Sequence, residues 1–121
     1  MGLREQLGIE TDEAANGRAL AFMVAGDDHL NDAGTVHGGA IATLADSVMG
    51  SAVLSTLDDH VPVTVEASIR FLEPGRKGKI VGKAKVRRPG KKFIVVEAEL
   101  TQDESNEHIA FATATFTAVG E

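Results

Sequence analysis

The chain has 121 residues, 43% of them hydrophobic, which matches one domain over residues 1–121 with a core of its own. It has no Cys, so disulfides, thiolate metal sites, iron–sulfur clusters and a thiol nucleophile are excluded, and any chemistry falls to oxygen, nitrogen and backbone groups. A net charge of −6 with no Trp or Tyr argues against a nucleic-acid binder built on a basic face and stacking aromatics.

The N-terminal run MGLREQLGIETDEAANG carries Glu5, Glu10, Asp12 and Glu13 and lacks the apolar stretch of a signal peptide, which predicts a cytoplasmic protein. A short helix is predicted at Leu3–Leu7 and a strand at Arg18–Ala25. From Ala33 through Leu57 the only formally charged side chain is Asp46. A membrane span needs about twenty mostly apolar residues, and Gly38, Gly39, Gly50 and the hydroxyl residues count against one. A helix that is apolar nearly all round is expected to be wrapped by protein on most sides. Thr43, Ser47, Ser51 and Ser55 recur every four residues, a stripe of small side chains that lets a strand or a second helix come close. Beyond the helix, residues 64–72 alternate, with Val65, Ala67, Ile69 and Phe71 on one face and Thr64, Glu66, Ser68 and Arg70 on the other. The same pattern recurs at 80–87, 93–102 and 109–119, rich in Val, Ile and Thr. Glu73-Pro74-Gly75, Arg88-Pro89-Gly90 and Asp103–Glu107 separate these strands by hairpin-length gaps, which predicts an antiparallel meander. The expected architecture is α+β, a four- or five-stranded antiparallel sheet curled around one long central helix.

Charge is unevenly spread. Ten of the twelve Lys and Arg lie between Arg70 and Lys92, where Glu73 is the only acid. Such a segment is either the solvated face of strands or a site for an anion carrying several phosphates.

Chemistry centres on Asn31-Asp32-Ala33-Gly34-Thr35-Val36-His37-Gly38-Gly39 and on Asp46. Each residue has a plain structural reading: His37 as a cap, Gly38-Gly39 as the turn that opens the helix, Asn31 as a brace on its own loop. Asp46 is harder to set aside, because a carboxylate within an uncharged helix costs free energy unless it is paired or hydrogen-bonded. A partly buried acid and a helix N-terminus with free N–H groups together supply a base or nucleophile and an oxyanion site. Asp46 lies eight residues beyond Gly38, about 12 Å at 1.5 Å per residue, so the two cannot serve one carbonyl within a single chain. If both act on one centre, each comes from a different subunit across a two-fold axis.

The spacing N-x5-HGG with an Asp nine residues after the His, the small-residue helix and the strands that follow resemble the hotdog-fold acyl-CoA thioesterases of the phenylacetate-pathway (PaaI-like) subfamily, which are related to 4-hydroxybenzoyl-CoA thioesterases. The likeness runs from about Gly17 to Val119. It implies that Asp46 acts as general base on a water or as nucleophile toward the thioester carbonyl, and that the partner's Gly38 N–H holds the oxyanion. Asn31 and His37 would orient the thioester or the water, and Thr64 would stand near the attacking water. The nucleotide of coenzyme A would be bound by the turn Arg87, Arg88, Gly90, Lys91 and Lys92, with Gly39 also at the substrate. The resemblance implies no cofactor beyond the coenzyme A of the substrate, no metal, no nucleic acid or membrane partner, and a homodimer that pairs further into a dimer of dimers. The acyl group would be aryl-acetyl, aromatic or a medium aliphatic chain. The alternative is a non-catalytic acyl-CoA binding or sensing module on the same fold, which would have no need of the acid. A hydratase on this fold and a purely structural dimer are further readings, and the His-plus-acid spacing matches thioesterases better. The four His residues show no zinc spacing, and GxSxG, the P-loop and GxGxxG are absent.

Overall fold

The computed structural model describes residues 2–120. In chain order it holds α1 (Leu3–Leu7), β1 (Glu10–Ala15), β2 (Arg18–Ala25), a single 3-10 turn at Asp27–His29, α2 (Gly38–Leu54), β3 (His60–Phe71), β4 (Gly78–Pro89), β5 (Ile94–Gln102) and β6 (Glu107–Gly120). The strands form one six-stranded sheet in the order β1-β2-β4-β5-β6-β3, antiparallel at every pairing. The sheet curls around α2, the α+β hotdog architecture expected from the resemblance.

The core lies between α2 and the concave side of the sheet. Ile41, Leu44, Ala45, Val48, Met49, Ala52 and Val53 are buried along one side of the helix. They meet Ala21, Met23, Ile80, Val96, Leu100, Ala112 and Phe116, the inward positions of four strands. Gly82 lets helix and sheet approach: a Cβ there would stand 3.2 Å from Val48 Cγ1.

Four features differ from the sequence expectation. The sheet has six strands rather than four or five, because β1, entirely exposed and acidic, pairs with β2 through Asn16-Gly17. Both loop residues have positive φ, 55° and 80°, the geometry that Asn-Gly adopts in two-residue hairpins. Second, the order is a meander only from β4 to β6. Glu73-Pro74-Gly75 is not a hairpin but part of a crossover, since β3 pairs with β6 at the far edge. Val36 N–H donates to the Gly75 carbonyl at 2.8 Å, and the crossover tucks beneath the start of α2.

Third, β3 is almost wholly exposed rather than half-buried, with only Pro62 and Ile69 partly covered. Val61, Val63, Val65 and Phe71 are open to solvent along this edge. The register also slips by one residue between Thr64 and Glu66, where Val65 forms a β-bulge. Ala67, Ile69 and Phe71 pair with the inward row of β6, as alternation predicts, but beyond the bulge Thr64 pairs with buried Phe116. The bulge therefore brings Thr64 to the helix side, the face opposite to the one simple alternation gives it. Fourth, α2 is wrapped on one side only, and Asp46 is exposed rather than partly buried.

Leu44 has no solvent exposure and sits at the centre of the α2 core stripe. Leu44→Ala is expected to lower the unfolding free energy by about 2–5 kcal/mol, checked by denaturant titration at a fixed protein concentration.

Candidate functional site

The loop before α2 folds back as a narrow hairpin. Leu30 bridges Val36, Asn31 N–H donates to the Thr35 carbonyl at 2.8 Å, and His37 N–H donates to the His29 carbonyl at 2.8 Å. Asn31 braces it from within: its Oδ1 accepts from Ala33 N–H at 2.9 Å and Thr35 N–H at 3.1 Å, and its Nδ2 donates to Thr35 Oγ1 at 3.1 Å. The structure thus engages Asn31 with its own loop, the plainer of the two sequence readings. The loop ends at His37, whose carbonyl accepts the N–H groups of Ala40 and Ile41 and so opens the helix. The His37 side chain is exposed and makes no capping bond.

Gly38 and Gly39 follow in the first turn of α2, where N–H groups have no intrahelical partner. No acceptor among the described residues meets either one. The Phe71 ring covers Gly38, since a Cβ on Gly38 would stand 3.3 Å from Phe71 Cζ. An open groove of about 340 Å³, lined among others by Val36, Gly38, Ile41, Phe71 and Glu73, leads to this N-terminus. A helix N-terminus of this kind favours a negatively charged oxygen.

Two turns along α2, Asp46 accepts a hydrogen bond from Thr64 Oγ1 at 2.8 Å. The pair opens on a second groove of about 480 Å³, with Thr43, Ser47, Gly50, Pro62 and Phe116 in its walls. Beside Asp46, the Ser47 Oγ is buried with no hydrogen-bond partner among the described residues. The structure brings Asp46 together with Thr64, and Gly38 with Phe71. It does not bring Asp46 to Gly38, which lie about 12 Å apart along the helix axis.

Pleating divides the basic segment. On β4, Lys83 and Lys85 stand opposite Glu99 and Glu97 of β5, and Arg87 reaches Glu97 at 3.6 Å. Lys77 forms an ion pair with Asp27 and holds that carboxyl below the usual carboxylate range, first through its hydrogen bond and then through its charge. Arg70, Arg76, Lys79, Arg88, Lys91 and Lys92 have no ion pair with an acid among the described residues, and three of them, Arg88, Lys91 and Lys92, are gathered at one turn. Arg88 and its neighbours sit at the β4–β5 turn around Gly90, where Thr117 Oγ1 donates to the Lys92 carbonyl at 2.9 Å. The row Pro89, Ile94, Phe116, Thr64 runs straight across the sheet, so this turn lies at the end that holds Asp46. Among the described residues no three potential metal ligands come together, and no helix is long and apolar enough to cross a membrane.

Sequence reasoning singled out neither Phe71 as the cover of Gly38 nor Ser47 as a neighbour of the acid. Phe71 was visible only as a core-type position on an alternating strand, and its approach to Gly38 depends on where the crossover leaves the sheet.

The chain matches the model of the thioesterase superfamily over residues 33–109. It is 34% identical to human acyl-coenzyme A thioesterase 13 over 98 residues, 80% of this chain and 70% of that protein. It is similar to the E. coli PaaI protein from the phenylacetic acid degradation operon, with a TM-score of 0.90 and 27% identity over 97% of this chain and 83% of that one. A Streptococcus mutans protein solved bound to acetyl CoA superposes with a TM-score of 0.85 at 27% identity, covering 93% of this chain and 90% of that one. Fold and family model agree on one class, the hotdog thioesterases. The chain belongs to the thioesterase superfamily and is a thioesterase enzyme.

The Asn31 brace makes a local prediction. Asn31→Ala is expected to deprotect the Ala33 and Thr35 amides in native-state hydrogen exchange and to cost about 1–3 kcal/mol of stability, because both donors lose their acceptor.

Proposed function

We propose that the chain hydrolyses acyl-CoA thioesters, with Asp46 and the partner subunit's helix N-terminus at one shared site. The observation that carries this is the exposed Asp46 carboxylate, oriented by Thr64 at 2.8 Å on a groove, on the same helix as an unpartnered Gly38 N–H. Asp46 takes a proton from a water, and the water oxygen bonds to the thioester carbon. The carbonyl electron pair moves onto oxygen, where the Gly38 N–H of the other subunit holds it. Collapse restores the C=O bond and breaks the C–S bond, and the departing thiolate takes the proton back from Asp46, giving free acid and coenzyme A. Direct attack by Asp46 uses the same carboxylate and passes through an anhydride that water then opens. The route asks for no cofactor or metal beyond the coenzyme A of the substrate.

A homodimer is supported by the two edges of the sheet. β1 is short, interrupted by a bulge and lined with Glu10, Asp12 and Glu13, features that discourage edge pairing. β3 has twelve residues and presents Val61, Val63 and Val65. Pairing of β3 with its two-fold copy would set two α2 helices side by side and antiparallel, bringing each Asp46 toward the other chain's Gly38. Exposed Val24, Val95 and Phe111 on the convex side offer a surface for a dimer of dimers. The uncompensated turn of Arg88, Lys91 and Lys92 suits the phosphates of coenzyme A. An aryl-acetyl, aromatic or medium aliphatic acyl group and a cytoplasmic setting complete the reading.

Asp46→Asn is expected to lower kcat by about 10²–10⁴-fold in a thiol-release assay while leaving the fold intact. Gly38→Pro removes the N–H at a helix position that accepts proline, while its Cβ presses on the Phe71 ring at 3.3 Å, and should be similarly inactive. Chains of the two variants refolded together should regain activity, since a mixed dimer holds one site with both groups intact. A mixture as dead as its parents overturns the shared site, and a fully active Asp46→Asn overturns the assignment of the acid. Neutralising Arg88, Lys91 and Lys92 is expected to raise KM for coenzyme A esters by about tenfold and to leave KM for truncated pantetheine thioesters nearly unchanged, checked by steady-state kinetics at low and high salt.

A further inference from the structure

The loop that delivers Gly38 is anchored by a side chain that lines neither groove. His29 ends the short turn after β2 and is half-buried. Its Nδ1 accepts the N–H of Gly26 at 2.9 Å, and its Nε2 stands 3.2 Å from the Leu7 carbonyl at the end of α1. A ring nitrogen that accepts a backbone N–H carries no proton, so the proton sits on Nε2 and is donated to Leu7. One neutral tautomer, assigned from these partners, satisfies both bonds.

The main chain of the same residue does the next step. The His29 carbonyl accepts the His37 N–H at 2.8 Å, and the next N–H along the chain is that of Gly38. Ring, short turn, carbonyl and helix start are therefore linked without a gap. The turn is pinned on its other side by the ion pair of Asp27 with Lys77, on the crossover whose Gly75 carbonyl holds Val36.

We propose that His29 is a positioning residue for thioester hydrolysis: through its Nδ1 bond to Gly26, the imidazole sets the place of the His29 carbonyl and, through His37, the aim of the Gly38 N–H. The role rests on the reading of Gly38 as the oxyanion donor. An oxyanion donor acts only where the developing charge will stand, and a displacement of about 1 Å can cost about 10²-fold in rate. Nothing in this role touches the substrate, so binding should be spared.

Two near-isosteric variants separate the bonds. In His29→Asn the Oδ1 lies where Nδ1 lay and can accept from Gly26, but nothing reaches Leu7. In His29→Gln the amide reaches toward Leu7 and leaves no acceptor for Gly26. Each is assayed beside Gly38→Pro by thiol release from the best coenzyme A ester, with kcat and KM resolved and thermal unfolding recorded. The expected result is a kcat about ten- to a hundredfold lower in His29→Gln at nearly unchanged KM, and a kcat within about threefold of wild type in His29→Asn. Wild-type kcat in His29→Gln, or an equal loss in both variants, overturns the proposal. Activity retained by Gly38→Pro would instead remove the oxyanion reading on which it rests, whereas a dead Gly38→Pro beside a fully active His29→Gln removes the role of His29 alone.

Discussion

The burial of one side of α2 against the concave sheet is the contact on which the rest depends. The four inner strands contribute its buried residues, Ile69 of β3 packs against its margin, and the helix contributes an unbroken apolar stripe from Ala40 to Val53. Close-packed interiors tolerate little change in volume, so the axis, rotation and depth of the helix are set by this contact. Fixing the rotation leaves Gly39, Thr43, Asp46 and Gly50 on the side turned away from the core. Acid and oxyanion donor thus inherit their placement from apolar residues that touch no substrate.

Much of this was legible in local patterns. The uncharged run, the glycine pair and the position of Asp46 mark α2, and alternation marks most of the strands. Alternation loses its meaning at a bulge, and Val65, an ordinary β-branched residue, carries no local mark of one. That single extra residue turns Thr64 toward Asp46 and makes the pair. Strand partners are also not written locally. Glu73-Pro74-Gly75 reads as a turn and is a crossover, because β3 pairs with β6 at the far edge of the sheet. The edge strand β1 was masked by its acids, although Asn16-Gly17 between two short segments is a strong hairpin signal. The exposure of Asp46 could not be read at all from composition, since it depends on which side of the helix the sheet covers.

The basic segment shows how one pattern can hold two causes. Where β4 lies within the sheet, Lys83 and Lys85 stand opposite Glu99 and Glu97 of β5 and are the solvated surface that most charge runs turn out to be. Past the bulge at Arg87 the ladder runs on through Arg88 opposite Val95 and Pro89 opposite Ile94, so the cations there and in the turn that follows face no acid. The same stretch of sequence changes from ordinary surface to concentrated positive field within a few residues, and only the register tells where.

The position of β3 in the sheet has a bearing on how the protein is made. Asp46 and Thr64 are near neighbours in sequence, yet the strand that carries Thr64 pairs, among the described residues, with β6 alone, a strand synthesised after β4 and β5. During synthesis the helix can collapse onto β2 well before β3 has anything to pair with, and such long-range pairing is the slow part of folding. The carboxylate therefore meets its threonine only when the sheet closes, and a chain stalled short of β6 has the helix, the acid and the loop but no ordered strand to aim them.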